Sequence, residues 1–101
     1  PEFLLYNYDV NEKNCIDKRG HKFVKKRLDE VAQKFNFQHV DILYYKIRDL
    51  MQNIGAPLTL KKANIYDYSA IIEEGFAPER MKNNPRLVTK ESLIQLLEKI
   101  K

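Results

Sequence analysis

Apolar residues recur at helical spacing in three separate stretches of this chain, and this pattern constrains the fold more than any other feature. Residues three and four apart share one face of an α-helix, so each stretch predicts an amphipathic helix. The first stretch is Val24, Leu28, Val31 and Phe35, the second Val40, Leu43, Ile47, Leu50, Met51 and Ile54, and the third Leu93, Ile94, Leu96, Leu97 and Ile100. No stretch alternates with the period of two that is typical of a strand. We therefore expect an all-α bundle of four or five helices.

Local signals predict where these helices begin and end. Gly55, followed two residues later by Pro57, marks the end of the second helix, and residues 56–60 should be extended. Thr89 is the expected N-cap of the last helix. A short helix over residues 68–74 is expected between Asp67 as cap and Gly75 as stop, and residues 76–86 should be irregular.

The chain of 101 residues is expected to form a single helical domain over residues 1–101. Its first eight residues include Phe3, Leu4, Leu5, Tyr6 and Tyr8. So many large apolar groups favour the interpretation that they end a helix begun further upstream in a larger protein.

Composition excludes several kinds of site. Three glycines provide no phosphate-binding loop, and two histidines, His21 and His39, form no dense ligand cluster. His39 and Asp41 are two residues apart, a spacing that should point helical side chains away from each other. The single cysteine, Cys15, has no disulfide partner, which favours a cytoplasmic setting. No apolar run is long enough to cross a membrane.

Six of the ten residues from Lys18 to Arg27 are basic, which raises the hypothesis of nucleic-acid binding. We favour a solvated helix face, because Asp17, Asp29 and Glu30 lie close in sequence and the net charge is only +4. Tyr44 and Tyr45 could stack on bases, but packing at the edge of a core is the preferred interpretation for Tyr44. The segment 83–86, Asn-Asn-Pro-Arg, is predicted to anchor an irregular loop onto the last helix.

The order of the motifs resembles the distal end of the iron-containing (group III) alcohol dehydrogenases. The residues are Ile54-Gly55-Ala56-Pro57 through Ile65, then Asn84-Pro85-Arg86-Leu87-Val88-Thr89 and a terminal helix, and Pro1 to Asn7 is similar to a segment of that family's helical domain. Asn64 departs from the family's usual glycine, and residues 76–83 lack its usual approach to the asparagine.

The resemblance implies a parent enzyme that transfers hydride between NAD(P) and an alcohol or aldehyde, with iron or zinc held by one aspartate and three histidines. Those ligands and the cofactor domain belong upstream of the segment that matches Pro1, so the chain alone is expected to hold no metal or cofactor and to be inactive. Its implied partner is that missing N-terminal part, and Arg80 and Met81 are implied neighbours of the substrate pocket.

A different class of function is also open, a free-standing helical interaction module. Its exposed apolar surface, centred on residues 3–8, would bind a partner chain or form a homo-oligomer. A nucleic-acid-binding domain is the less favoured alternative.

Overall fold

The computed structural model describes residues 1–101 and contains six α-helices, one 3₁₀ helix and no strand. The helices are α1 (Glu2–Tyr8), α2 (His21–Lys34), α3 (Val40–Asn53), α4 (Ser69–Gly75), α5 (Pro78–Met81) and α6 (Lys90–Lys99), and the 3₁₀ helix is Lys61–Ala63. The all-α prediction is confirmed. The helix count exceeds the predicted four or five because short segments add to the three long amphipathic helices.

The helix predicted to stop at Gly55 ends there, and the helix before it ends in a similar turn. After α2 the chain turns at Asn36, whose φ is 62°, and after α3 it turns at Gly55, whose φ is 75°. A positive φ is readily adopted by glycine and tolerated by asparagine. The expectation for His39 and Asp41 is wrong, because His39 is the N-cap of α3 and lies outside the helix. Its Nδ1 accepts a hydrogen bond from the Asp41 N–H at 3.2 Å and lies 3.2 Å from the Asp41 carboxylate.

In the second half, the best-defined helix start is that of α6. The Thr89 hydroxyl accepts a hydrogen bond from the Ser92 N–H at 3.1 Å, and the Ser92 hydroxyl accepts one from the Thr89 N–H at 2.9 Å, which makes a reciprocal capping box. Residues 76–86 were expected to be irregular, but they contain the one-turn helix α5, which begins at Pro78, a residue favoured at a first helical position. Gly75 is the last residue of α4, and its φ is not positive. It therefore does not act as the predicted left-handed stop.

Two small cores hold the helices together. In the first, Ala32, Val40 and Leu43 are buried among side chains of α1, α2 and α3. In the second, Leu60, Leu93 and Leu97 are buried among side chains of residues 65–76 and Ile100. Only ten of the 101 residues are buried, so neither core is large.

The chain exposes more surface than its size requires. Its accessible area is 7445 Å², whereas a compact monomer of this mass exposes about 6,000 Å². The first two predicted apolar stripes are buried at one end and exposed at the other. Along the stripe of α2, Val24 is 5% exposed and Phe35, just after the helix, 62%; along the stripe of α3, Leu43 is 6% exposed and Ile54, just after the helix, 70%. The stripes therefore extend past the cores that this chain builds.

No helix of the structure has both the length and the apolar character that crossing a bilayer requires.

Candidate functional site

Asn84 connects the two halves of the chain through its side-chain amide. Asn7 Nδ2 donates to Asn84 Oδ1 at 2.9 Å, and Asn84 Nδ2 donates back to Asn7 Oδ1 at 2.7 Å. Asn84 Nδ2 also donates to the main-chain oxygen of Arg86 at 2.7 Å. One half-buried amide thus joins α1 to a loop 77 residues further along the chain.

Arg86 makes the second connection to α1. Its Nη1 donates to the main-chain oxygen of Tyr6 at 2.7 Å, its guanidinium carbon lies 4.0 Å from the centre of the Tyr6 ring, and Nη1 lies 3.6 Å from Asp9 Oδ2. The Tyr6 hydroxyl in turn donates to the main-chain oxygen of Leu87. Arginine stacked on an aromatic face combines cation–π attraction with hydrogen bonding.

The main chain completes this connection. The Ile16 N–H donates to the Pro85 oxygen at 2.9 Å, and the Leu87 N–H donates to the Asn14 oxygen at 2.8 Å. We call residues 84–87 with Tyr6, Asn7 and residues 14–16 the clamp. The prediction that this motif anchors a loop onto the last helix is wrong, because its side chains bind α1 and main-chain bonds join it to residues 14–16.

An apolar cavity of about 260 Å³ lies between the two halves. Four parts of the chain line it: the start of α1, the end of α3, the 57–63 segment and the inner face of α6. The lining includes Phe3, Met51, Leu58, Leu60, Leu93, Leu96, Leu97 and Ile100. Its floor is shared with the second core, to which Leu60, Leu93 and Leu97 belong.

Three linked polar groups meet at this cavity, two of which line it. Glu2 Oε1 accepts a hydrogen bond from the Tyr44 hydroxyl at 2.7 Å and one from Arg48 Nη1 at 3.1 Å. Burial raises the pKa of Tyr44, and its hydrogen bond to Glu2 raises it further. The Glu2 side chain is 14% exposed and that of Arg48 31%. The carboxylate and guanidinium thus neutralise each other, and Tyr44 is half-buried beside them. Its packing at the edge of a core stays a prediction.

The residues expected beside a substrate pocket lie elsewhere. Arg80 is exposed and Met81 half-buried on α5, and neither lines the apolar cavity. Their assignment as substrate neighbours stays a prediction. Cys15 is half-buried, with its Sγ 3.5 Å from the Asp17 main-chain oxygen. No group of three or more His, Cys, Asp or Glu side chains is close enough together to hold a metal ion.

Contacts within the basic stretch favour a solvated helix face. Arg19 Nη2 lies 2.8 Å from Asp17 Oδ2, and Arg27 Nη1 lies 2.7 Å from Glu30 Oε2. Hydrogen bonds from Arg19 lower the pKa of Asp17 to about 2. Both arginines also lie over the ring of Phe23. Two of the six basic side chains are therefore already paired with acids.

Neither a family model, nor a curated protein, nor a solved structure matches this chain. The similarity to iron-containing alcohol dehydrogenases therefore depends on the short motifs and their order. The sequence did not identify the cavity. The expectation that residues 56–60 are extended is wrong at its end, because residues 58 and 59 bend and Leu60 has helical angles, with φ at −58° and ψ at −41°.

Proposed function

We propose that this chain is a helical unit of an NAD(P)-dependent, metal-dependent alcohol dehydrogenase of the iron-containing family. In this proposal it supports and walls the enzyme, while the metal ligands and the cofactor-binding domain lie in another part of the same protein. The metal would act there as a Lewis acid on the alcohol or aldehyde oxygen. The residues described here do not gather a metal-ligand set, so we derive no catalytic step from them.

The observation that carries this proposal is the structural role of the motif residues. Gly55 turns the chain out of α3 and leads it into the segment that lines the cavity. Asn84 and Arg86 hold that half of the chain against α1. The stretches that resemble the family are thus those that set this chain's architecture.

The excess surface supports the same proposal. The chain exposes about 1,400 Å² more than a compact monomer of its mass, and a standard protein interface covers about 800 Å² on each partner. Phe35 and Ile54 are exposed apolar residues at the ends of two helical stripes. Exposed apolar surface of this kind is typically covered by another part of the same protein or by a partner chain.

The test is NAD(P)H-linked aldehyde reduction by the complete gene product that contains these residues, with Fe²⁺ or Zn²⁺ supplied. We expect metal-dependent turnover from that protein and none from residues 1–101 alone. Absence of turnover with either metal and either cofactor in the complete protein would contradict the proposal. So would metal-dependent turnover by the 101 residues by themselves.

A free-standing interaction module is the second candidate, and one observation favours it. The chain builds both cores and all four walls of the cavity from its own helices and loops. Thermal unfolding and sedimentation of the 101-residue chain test this candidate. A cooperative transition from a monomer that binds no hydrophobic dye would contradict a module that relies on an exposed apolar patch.

A further inference from the structure

We infer that the apolar cavity binds one neutral, mainly aliphatic small molecule of about ten non-hydrogen atoms. This inference concerns binding by residues 1–101 and is independent of the proposed dehydrogenase activity. It depends on the size of the cavity, the chemistry of its lining and the pairing of the charges beside it.

The volume sets the size of the ligand. An apolar cavity of about 150 Å³ in a protein core takes up benzene, which has six non-hydrogen atoms. The cavity here is about 260 Å³ and is partly open to solvent, so the part of a ligand that it encloses corresponds to about ten such atoms at the same density.

The lining sets the chemical class. Leucine side chains from the 57–63 segment and from α6 form most of the inner wall, together with Met51 and Ile100. Leu60, Leu93 and Leu97 are each at most 8% exposed, so the inner wall belongs to a packed core. A saturated chain or small ring gains affinity from such a wall in proportion to the apolar area that it buries.

The pairing of the two charged side chains at the cavity disfavours an ionised head group. Arg48 is the only basic side chain that lines the cavity, and its Nη1 lies 3.1 Å from Glu2 Oε1. A ligand carboxylate would have to take Arg48 from Glu2 and leave the Glu2 side chain, only 14% exposed, without a charged partner. Leaving a half-buried charge unpaired is costly, so a neutral ligand is preferred.

A polypeptide partner fits this particular cavity less well. Of the large apolar side chains that are exposed, only Phe3 lines the cavity. The anchor side chain of a protein interface is normally surrounded by further contacts that exclude water. The other exposed apolar side chains lie outside the lining, so surface for a protein partner is mostly elsewhere.

The experiment is an NMR titration of leucine and methionine methyl resonances with 1-alkanols from 1-butanol to 1-nonanol. No metal or nicotinamide is added, so the result is separate from any test of dehydrogenase activity. We expect saturable shifts with one site, confined to cavity methyls, and a Kd that falls about fourfold per methylene until the cavity is full. The absence of saturable shifts, or shifts spread over the exposed leucines, would overturn the inference.

A matched pair of variants locates the site. Leu58→Trp places a larger side chain in the cavity wall and should weaken 1-octanol binding at least tenfold, whereas Leu50→Trp, at an exposed leucine of α3 outside the lining, should change it less than twofold. Equal effects of the two variants would contradict the assignment.

Charge is tested with octanoate in place of 1-octanol. The unmodified chain should bind octanoate at least tenfold more weakly, and Glu2→Gln, which frees Arg48, should reverse that preference. Tighter binding of octanoate by the unmodified chain would overturn the assignment of a neutral ligand. Displacement of 1-octanol by an amphipathic peptide at lower concentration than any alkanol would show a protein-docking site instead.

Discussion

Removal of the Asn84 side chain should destabilise the protein far more than removal of its neighbour. Asn84→Ala deletes three hydrogen bonds, two with Asn7 and one to the main-chain oxygen of Arg86. At about 1 kcal/mol for each bond, the free energy of unfolding should fall by about 3 kcal/mol. For a domain of this length that loss lowers the Tm by about 15 °C. Such a loss is a large share of the 5–15 kcal/mol that is typical of small domains.

Asn83→Ala is the matched control. Asn83 is exposed, and its side chain makes none of the hydrogen bonds of the clamp. Urea denaturation followed by circular dichroism should therefore show a change below about 0.5 kcal/mol for this variant. In a double-mutant cycle, Asn7→Ala and Asn84→Ala should be coupled by about 1–2 kcal/mol. Similar losses at positions 83 and 84, or no coupling to Asn7, would refute the clamp as the connection between the two halves.

Three further predictions follow from single positions. Gly55→Ala should lose about 1 kcal/mol of stability because φ is 75° there. Gly75→Ala should be neutral or gain up to about 1 kcal/mol, because Gly75 is helical and the nearest atom to the added Cβ is 3.9 Å away. Urea midpoints that fall equally for both variants would contradict this. Thr89→Ala should lose about 1 kcal/mol with the cap of α6, and no change in thermal unfolding would show that the cap contributes nothing. Burial and the hydrogen bond to Glu2 raise the pKa of Tyr44, so its contribution to stability is present below pH 10 and is lost as the pH rises through the pKa of the folded state. Tyr44→Phe should therefore flatten the fall in the free energy of unfolding above pH 10. An unchanged pH profile would contradict this.

The sequence predicted the parts of the fold that local physics determines. Spacing by three and four residues located α2, α3 and α6, since burial of one face needs that period. Gly55 and Thr89 marked a helix end and a helix start, because their preferences depend on backbone angles and on free N–H groups rather than on distant contacts.

Contacts between distant residues could not be predicted in the same way. The sequence singled out Asn84 and Arg86 as a local device, but their partners Asn7 and Tyr6 lie 77 and 80 residues away. A hydrogen-bonded pair of asparagines leaves no periodic pattern in the sequence, and an asparagine is equally suited to a turn. A single sequence therefore does not indicate which side chain Asn84 binds. The short helix α5 was missed for a related reason: four residues contain too little pattern to distinguish one turn from a loop.

The cavity also could not be predicted from the sequence, because the apolar stripe of one helix does not indicate how much of it the neighbouring helices cover. The α3 stripe was predicted as one apolar face, yet Leu43 is buried in the first core, Met51 lines the cavity, and Ile54 is 70% exposed. Residues of one apolar stripe therefore belong to a core, to a cavity wall and to the open surface. The clamp is one contribution to this arrangement, since it ties α1, which packs on α3, to the loop that leads into α6. In a chain with only ten buried residues, such polar bonds supplement the small amount of apolar packing between the two halves.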